Sequence, residues 1–289
     1  MSTGTRRTTR NLAIGCTGAL AVVVCGLGGA AQADANTTSV WKDGNTLRVR
    51  ADNNVQNDIL VEKQVADFFV TDFLDTVSPG AGCAAVVPAN PNMVRCSAAG
   101  ITHVLVEARN RDDTVDVALG DTPATLMGGG GADTLMGSSY DDLIEGGSGN
   151  DPMLNGDAGR DRTFGGDGHD TLNTGDGDDY GDGGYGDDTL RGGDDAGGVV
   201  GHDHLVGGPG RDTFNGGPGN DRLQGGGDRD TLSGDPGNDT LEGNRGDDEI
   251  DGNEGDDHLT GGPGWDDLDG GMGVDTCRNG NDTKMNCEL

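Results

Sequence analysis

Aromatic residues make up only 3% of the 289 residues, and 19 Lys and Arg face 51 Asp and Glu. So acidic a chain repels phosphate backbones and anionic lipid, which argues against nucleic acid or an acidic membrane surface as a partner. Trp265, Tyr140 and Tyr185 are too scattered to mark a binding face. Catalytic signatures are missing as well: H-E-x-x-H, G-x-S-x-G and C-x-x-C do not occur. Ser97 and His103 lie near each other without a third member to make a triad. His202-Asp203-His204 looks like a metal cluster, but both imidazoles flank an aspartate of the repeats described below and are expected to point outward. The other histidines, His169 and His258, also fall within those repeats.

The one long apolar run lies at the N-terminus. Arg6, Arg7 and Arg10 precede a stretch from Leu12 to Leu27, and Ala31-Gln32-Ala33 is an A-x-A cleavage site, so residues 1–33 read as a signal peptide. A membrane anchor needs a longer span. Arg6-Arg7 leaves a twin-arginine route open beside the general one, although the flanking Thr residues are poor context for it. Val24 before Cys25 is too large for a lipoprotein signal. The expected location is secreted, extracellular. Cys16 and Cys25 leave with the signal, and Cys83, Cys96, Cys277 and Cys287 remain in an oxidising compartment. Of three possible pairings, the local one, Cys83–Cys96 and Cys277–Cys287, is expected because both loops are short and polar. The second bond would lay the tail, 279–289, over the end of the chain's repeats as a cap.

What the sequence has in excess is glycine, 57 residues, and most of it is periodic. Between Gly128 and Arg278 a nine-residue phrase, G-G-x-G-x-D-x-U-x with U apolar, recurs sixteen times. Position 6 is always aspartate: Asp133, Asp142, Asp151, Asp161, Asp170, Asp179, Asp188, Asp203, Asp212, Asp221, Asp230, Asp239, Asp248, Asp257, Asp266 and Asp275. Dense glycine marks tight turns, and Pro209, Pro218, Pro236 and Pro263 at position 3 suit the same turns. Positions 7 to 9 read as a short strand with its middle residue inward. Two phrases make one coil. Odd copies then align Leu135, Leu154, Leu172, Leu190, Phe214, Leu232, Ile250 and Leu268. Even copies align Ile144, Thr163, Gly181, Leu205, Leu223, Leu241, Leu259 and Cys277, a row weakened at Thr163 and Gly181 near the insertion 195–200.

One apolar residue in nine cannot offset the entropy of ordering the other eight, glycines above all. Rows of stacked aspartate also need neutralising. A hard cation taking carboxylate and carbonyl oxygens meets both needs. Calcium, with six to eight oxygen ligands in loose geometry, suits these donors better than magnesium, which prefers a strict octahedron. Zinc and copper would want His or Cys at a fixed position, and the repeats supply neither.

The phrase resembles the RTX, or hemolysin-type, calcium-binding repeat. That resemblance covers 128–278 and implies an all-β, right-handed parallel β-roll. Multiple calcium ions would lie between successive turns, bound by the sixteen position-6 aspartates and neighbouring Gly carbonyls. Thr174 at position 1, Gly181 and the long eighth copy make the sites beside Asp179 and Asp203 irregular, and Pro152 adds a residue after Asp151. Residues 34–127 are different material. Ser39 to Arg50 reads as strand, turn, strand, with more strands at Asn57–Glu62, Phe68–Phe73 and Ile101–Glu107. Arg111-Asp112-Asp113-Thr114-Val115-Asp116 imitates a repeat without its glycines. This region is expected to be a small β-rich cap running into the roll; a separate globular domain is the alternative. Three functions remain: a calcium-binding protein without catalysis, a calcium-dependent adhesion or matrix module with an unknown surface partner, and an enzyme carrying an accessory RTX module, as in RTX proteases, lipases and epimerases. The last would have to fit its catalytic domain into 34–127.

Overall fold

Alternation along a strand sends every second side chain to one face, and each repeat offers one apolar side chain for that face. In the computed structural model, which describes residues 37–52, 55–80, 82–86, 92–193, 201–278 and 284–287, the chain winds into two sheets with no helix among the described residues. The fold is an all-β parallel roll. In the fourteen-stranded sheet Leu135 stacks on Leu154, and the row continues in register through Leu172, Leu190, Phe214, Leu232, Ile250 and Leu268. In the thirteen-stranded sheet Ile144, Thr163, Gly181, Leu205, Leu223, Leu241, Leu259 and Cys277 form the facing row. Every Leu of both rows is buried.

The two sheets differ in one respect from the expected pattern. Within the repeats, strands in the fourteen-stranded sheet are three residues long, such as Thr231–Ser233, but those opposite run on into the next phrase as far as Thr240–Asn244, as in Leu143–Ser148 and Arg222–Gly227. The turns are therefore asymmetric, with positions 1 to 3 extended on one side. Gly181 does not leave a void. A methyl placed on Gly181 would lie 2.9 Å from Leu205 Cδ2 and 3.2 Å from Thr174 Cγ2, so neighbouring side chains fill the gap. Gly181 is small because Thr174 is large.

Residues ahead of the repeats extend the same two sheets. Thr46–Arg50 pairs parallel with His103–Asn110, which pairs with Ala124–Gly130; on the other side Asp58–Gln64 pairs with Thr114–Ala118, which pairs with Thr134–Met136. Hairpins close that end: Thr37–Asp43 folds antiparallel onto Thr46–Arg50, and Asp67–Asp72 onto Asp58–Gln64. Three further strands, Thr76–Pro79, Cys83–Ala85 and Met93–Ser97, escape the sequence pattern, and the expected strand at Ile101–Glu107 runs His103–Asn110. The core here is dense with Val40, Leu47, Val49, Ile59, Val61, Phe68, Val70, Val104 and Val106. Cys83 is bonded to Cys96 and Cys277 to Cys287. The tail adds a strand, Lys284–Asn286, parallel to Asp267–Asp269. The signal segment 1–33, the insertion 195–200 and the proposed capping stretch Asn279–Asp282 lie outside the described residues.

Candidate metal centre

Each position-6 aspartate is placed by the strand that follows it and by the coil before it. The N–H of Asp133 donates to Asp151 Oδ1 at 2.8 Å, that of Asp151 to Asp170 Oδ1 at 2.8 Å, and the row continues through Asp188, Asp212, Asp230, Asp248 and Asp266. On the opposite edge Ala124 N donates to Asp142 Oδ1, and Asp161, Asp179, Asp203, Asp221, Asp239, Asp257 and Asp275 follow in the same way. All sixteen carboxylates expected from the sequence are thus brought into two buried rows, one along each edge.

One oxygen of each carboxylate is accounted for; the other is the informative atom. Oδ2 of Asp133, Asp151, Asp161, Asp170, Asp188, Asp212, Asp230, Asp239, Asp248, Asp257, Asp266 and Asp275 is buried with no hydrogen-bond partner. A buried carboxylate oxygen left unpaired is costly. Its surroundings explain the glycine found at position 1 in every copy but the one with Thr174. A methyl on Gly128 would sit 2.5 Å from Asp133 Oδ2 and 2.6 Å from the Gly146 carbonyl of the next coil; on Gly216 it would sit 2.6 Å from Asp221 Oδ2 and 2.7 Å from Gly234 O. Position 1 is glycine for room beside two converging oxygens. Positions 2 and 4 are where the backbone turns left-handed, with φ +105° at Gly129 and +137° at Gly131. Asp157, Asp235, Asn244 and Asn253 replace glycine at position 2, residue types that tolerate this conformation.

Charge does not rest comfortably in these rows. Burial, reinforced by neighbouring aspartates and opposed by the N–H of the preceding coil, pushes Asp161, Asp230 and Asp239 up to about 8. By the same burial Asp170 and Asp212 rise to about 7, and Asp133, Asp151 and Asp248 to about 6. The exposed arginines do little for them: Arg160 pairs with Asp178, Arg211 with Asp187 and Arg229 with Glu249, all at the surface.

No group of three His, Cys, Asp or Glu side chains poised for a metal occurs among the described residues. The donors that converge are one carboxylate oxygen and main-chain carbonyls from adjacent coils, an all-oxygen set that suits a hard cation and not zinc or copper. The orphaned oxygen and the glycine cradle both fit such an ion. A family model for the RTX calcium-binding nonapeptide repeat (4 copies) matches residues 127–151, 153–172, 197–232, 206–241, 224–259 and 242–277. The chain carries RTX calcium-binding repeats. Among curated proteins none matches the chain. Calcium bound in the RTX coils would supply the positive charge that these carboxylates lack, and the residues to hold it are the position-6 aspartates with carbonyls such as Gly146 O and Gly234 O.

The RTX coils are not uniform, and the family match skips 173–196. Thr174 fills the cradle beside Asp179, and its Oγ1 donates to Gly192 O at 2.9 Å, occupying a carbonyl that the regular coils leave facing the carboxylate. Asp142 also stands apart. Ser138 N donates to its Oδ2, while Ser138 Oγ and Ala124 N donate to its Oδ1. Its neighbours satisfy it without an ion. The histidines do not cluster: His202 Nδ1 accepts the Asn220 N–H, whereas His204 reaches Gln224 and packs edge-on against Tyr180. Ser97 and His103 lie in different sheets.

Two features went unread in the sequence. Position 5 forms a second, exposed ladder, in which Asn220 and Asn238 accept the N–H of the next coil. Arg162 lies over Phe164 and Tyr180, 5.5 Å and 5.4 Å from their ring centres, as a column on one outer face. Its only sequence signal is the period itself, since residues eighteen apart along one face must stack.

Proposed function

We propose that this calcium-binding roll is an exported, non-catalytic protein whose repeats are ordered by several calcium ions outside the cell. The observation that carries the reading is the row of buried Oδ2 atoms without partners on both edges. An apo roll holding that many desolvated carboxylates is poorly stable, so ion binding and folding are one event. Export draws on the signal-like N-terminus and on the calcium available outside cells. The non-catalytic reading draws on the chemistry present. A cleft of about 500 Å³ beside Val65, Phe69 and Ala84 offers Gln64, Asp67 and Arg95 as its polar groups, and Asp67 pairs with Arg95 at 3.7 Å.

Far-UV circular dichroism of the mature chain tests this. Calcium should induce β-structure cooperatively, with a midpoint in the extracellular range of about 10⁻⁴–10⁻³ M, and magnesium much less. Equal β-content in chelator and in calcium defeats the proposal. A second reading, attachment to a surface or matrix, draws on the Arg162–Phe164–Tyr180–His204 column, which a rigid calcium-loaded roll would present as one face. Calcium-dependent capture of an extracellular partner, lost on Tyr180→Ala with calcium binding intact, would favour it.

A further inference from the structure

Segment 108–116 contains no glycine, and the family match begins only at residue 127. Its backbone nevertheless follows the repeat. Arg109 and Arg111, at the places of positions 2 and 4, hold φ of +85° and +91°, the left-handed region that the repeats enter with glycine. Arginine gains nothing there from its own side chain, so the surrounding structure imposes the conformation. The consequence is the direction of two carbonyls. Arg109 O and Arg111 O face the Cα atoms of Gly129 and Gly131, as Gly129 O and Gly131 O face Gly147 and Gly149 one coil later.

Hydrogen bonds repeat the pattern. Arg111 N donates to Gly130 O at 2.5 Å, Asp113 N to Asp133 Oδ1 at 2.8 Å, and Thr134 N to Asp113 O at 2.8 Å. Asp113 Oδ1 in turn accepts the N–H of Asn57 at 2.6 Å and the Asn57 side-chain amide at 3.1 Å. One row of aspartates therefore begins at Asp113, and one coil earlier its place is taken by a neutral amide. Asp113 is 1% exposed, and its Oδ2 has no hydrogen-bond partner.

We propose that 108–113 and 128–133 together form a further calcium site, with Asp113 Oδ2 as its carboxylate ligand and carbonyls of the two loops completing an oxygen shell. The proposal rests on the calcium reading of the repeats and extends it into a segment without the glycine motif. The site joins the apolar N-terminal coils to the first glycine coil, so its ion couples the two regions. Ala108 stands at the place of position 1, where the glycine coils carry no side chain. This site is therefore the weaker one of its row.

The test is the number of calcium ions bound per full mature chain, measured by equilibrium dialysis with radioactive calcium. Asp113→Asn keeps the acceptor for Asn57 and removes the charge. The variant should bind about one ion fewer than the parent, losing the weakest step while the main dichroism transition stays within about twofold. Unchanged stoichiometry in the variant overturns the proposal. Should the variant fold poorly, anomalous diffraction from crystals of the calcium-loaded parent decides. A peak between 108–113 and 128–133 supports the site. Peaks confined to the glycine coils overturn it alone, and no peaks anywhere overturn the calcium reading beneath it.

Discussion

Strand Thr46–Arg50 buries Leu47 and Val49, and its neighbour His103–Asn110 buries Val104, Val106 and Ala108; farther along, Thr231–Ser233 buries Leu232 alone and Thr240–Asn244 buries one large side chain, Leu241. The same two sheets pass through both regions, yet the material that holds them changes. Ahead of residue 124 the core is dense and mainly aliphatic, with Phe68 and Phe69 among it, tied by Cys83–Cys96 and closed by antiparallel hairpins. Beyond it, most phrases bury one large apolar residue beside one aspartate, with Thr163, Gly181 and the half-buried Cys277 as exceptions. Burial of two or three apolar side chains per strand gives the first region far more apolar stabilisation per residue. The second gains too little from its leucines to offset the ordering of its glycines. Topology is shared along the roll, but the source of stability is not.

Chelation is the strongest way to break that comparison. Hydrogen exchange on the full mature chain in chelator should show the repeats, 128–278, exchanging at close to unfolded rates while strands between Thr37 and Ala118 stay protected. Adding calcium should slow exchange in the repeats by at least about a hundredfold, equivalent to about 2.7 kcal/mol. Uniform protection along the chain without calcium would mean that the repeats need no ion.

Proton and calcium should act in opposite directions on the same rows. In the metal-free roll Asp161, Asp230 and Asp239 lie near 8, above the ordinary aspartate value, because they are buried. The folded apo state therefore binds more protons than the unfolded chain between about pH 4 and pH 8. Its stability is fully present below that window and is lost as pH rises through the folded values. Calcium displaces those protons, so loading releases them and weakens on acidification. Residual β-structure in chelator should be greater at pH 5 than at pH 8, and the calcium midpoint should rise at least about tenfold from pH 8 to pH 6. If β-content moves the same way with pH in both solutions, the rows are not the ion sites.

Much of this was legible because the period writes the stacking directly. Residues eighteen apart must superpose, so the rows Leu135 to Leu268 and Asp133 to Asp266 follow from the period once the extra residue at Pro152 and the insertion 195–200 are allowed for. What stayed hidden was hidden physically. Arg109 and Arg111 break the glycine rule but keep the backbone, and only a φ value reveals that. Thr174 and Gly181 read as two separate defects, whereas they are one packing exchange across the core. Ser138 looks like an ordinary position-2 substitution until its hydroxyl and amide are seen on Asp142. Cys83–Ala85 and Thr76–Pro79 are too short to carry a period.

Single aspartates should then separate regular coils from self-satisfied ones. Asp239→Asn keeps an acceptor for the Asp221 N–H and removes charge from a carboxylate whose Oδ2 has no other partner. It should raise the calcium midpoint about tenfold, or about 1.4 kcal/mol. Asp179→Asn should cost less, because Thr174 fills that cradle and occupies Gly192 O. Asp142→Asn should shift the midpoint least, by under about twofold, since Ser138 and Ala124 already engage both oxygens. Calcium titrations of the three variants order them, and Asp142→Asn or Asp179→Asn proving the most damaging would reverse the assignment.

The smallest effect is expected at the far end. Cys277 belongs to the last strand of the thirteen-stranded sheet, while Cys287 follows Lys284–Asn286, which extends the other sheet beside Asp267–Asp269. The bond thus pins the final strand of one sheet to the final strand of its partner, and that added strand covers an edge that would otherwise offer free N–H and carbonyl groups. Closing so short a loop constrains the unfolded chain by about 2–4 kcal/mol, but the gain is local to the last coil in a roll where each coil contacts only its neighbours. Cys287→Ser should therefore leave the calcium midpoint of the central repeats within about twofold, lower the cooperativity of the transition and promote association through the exposed edge. Titration by dichroism with light scattering reads both. A variant that titrates and stays monomeric like the parent would show that the bond exists without protecting the end.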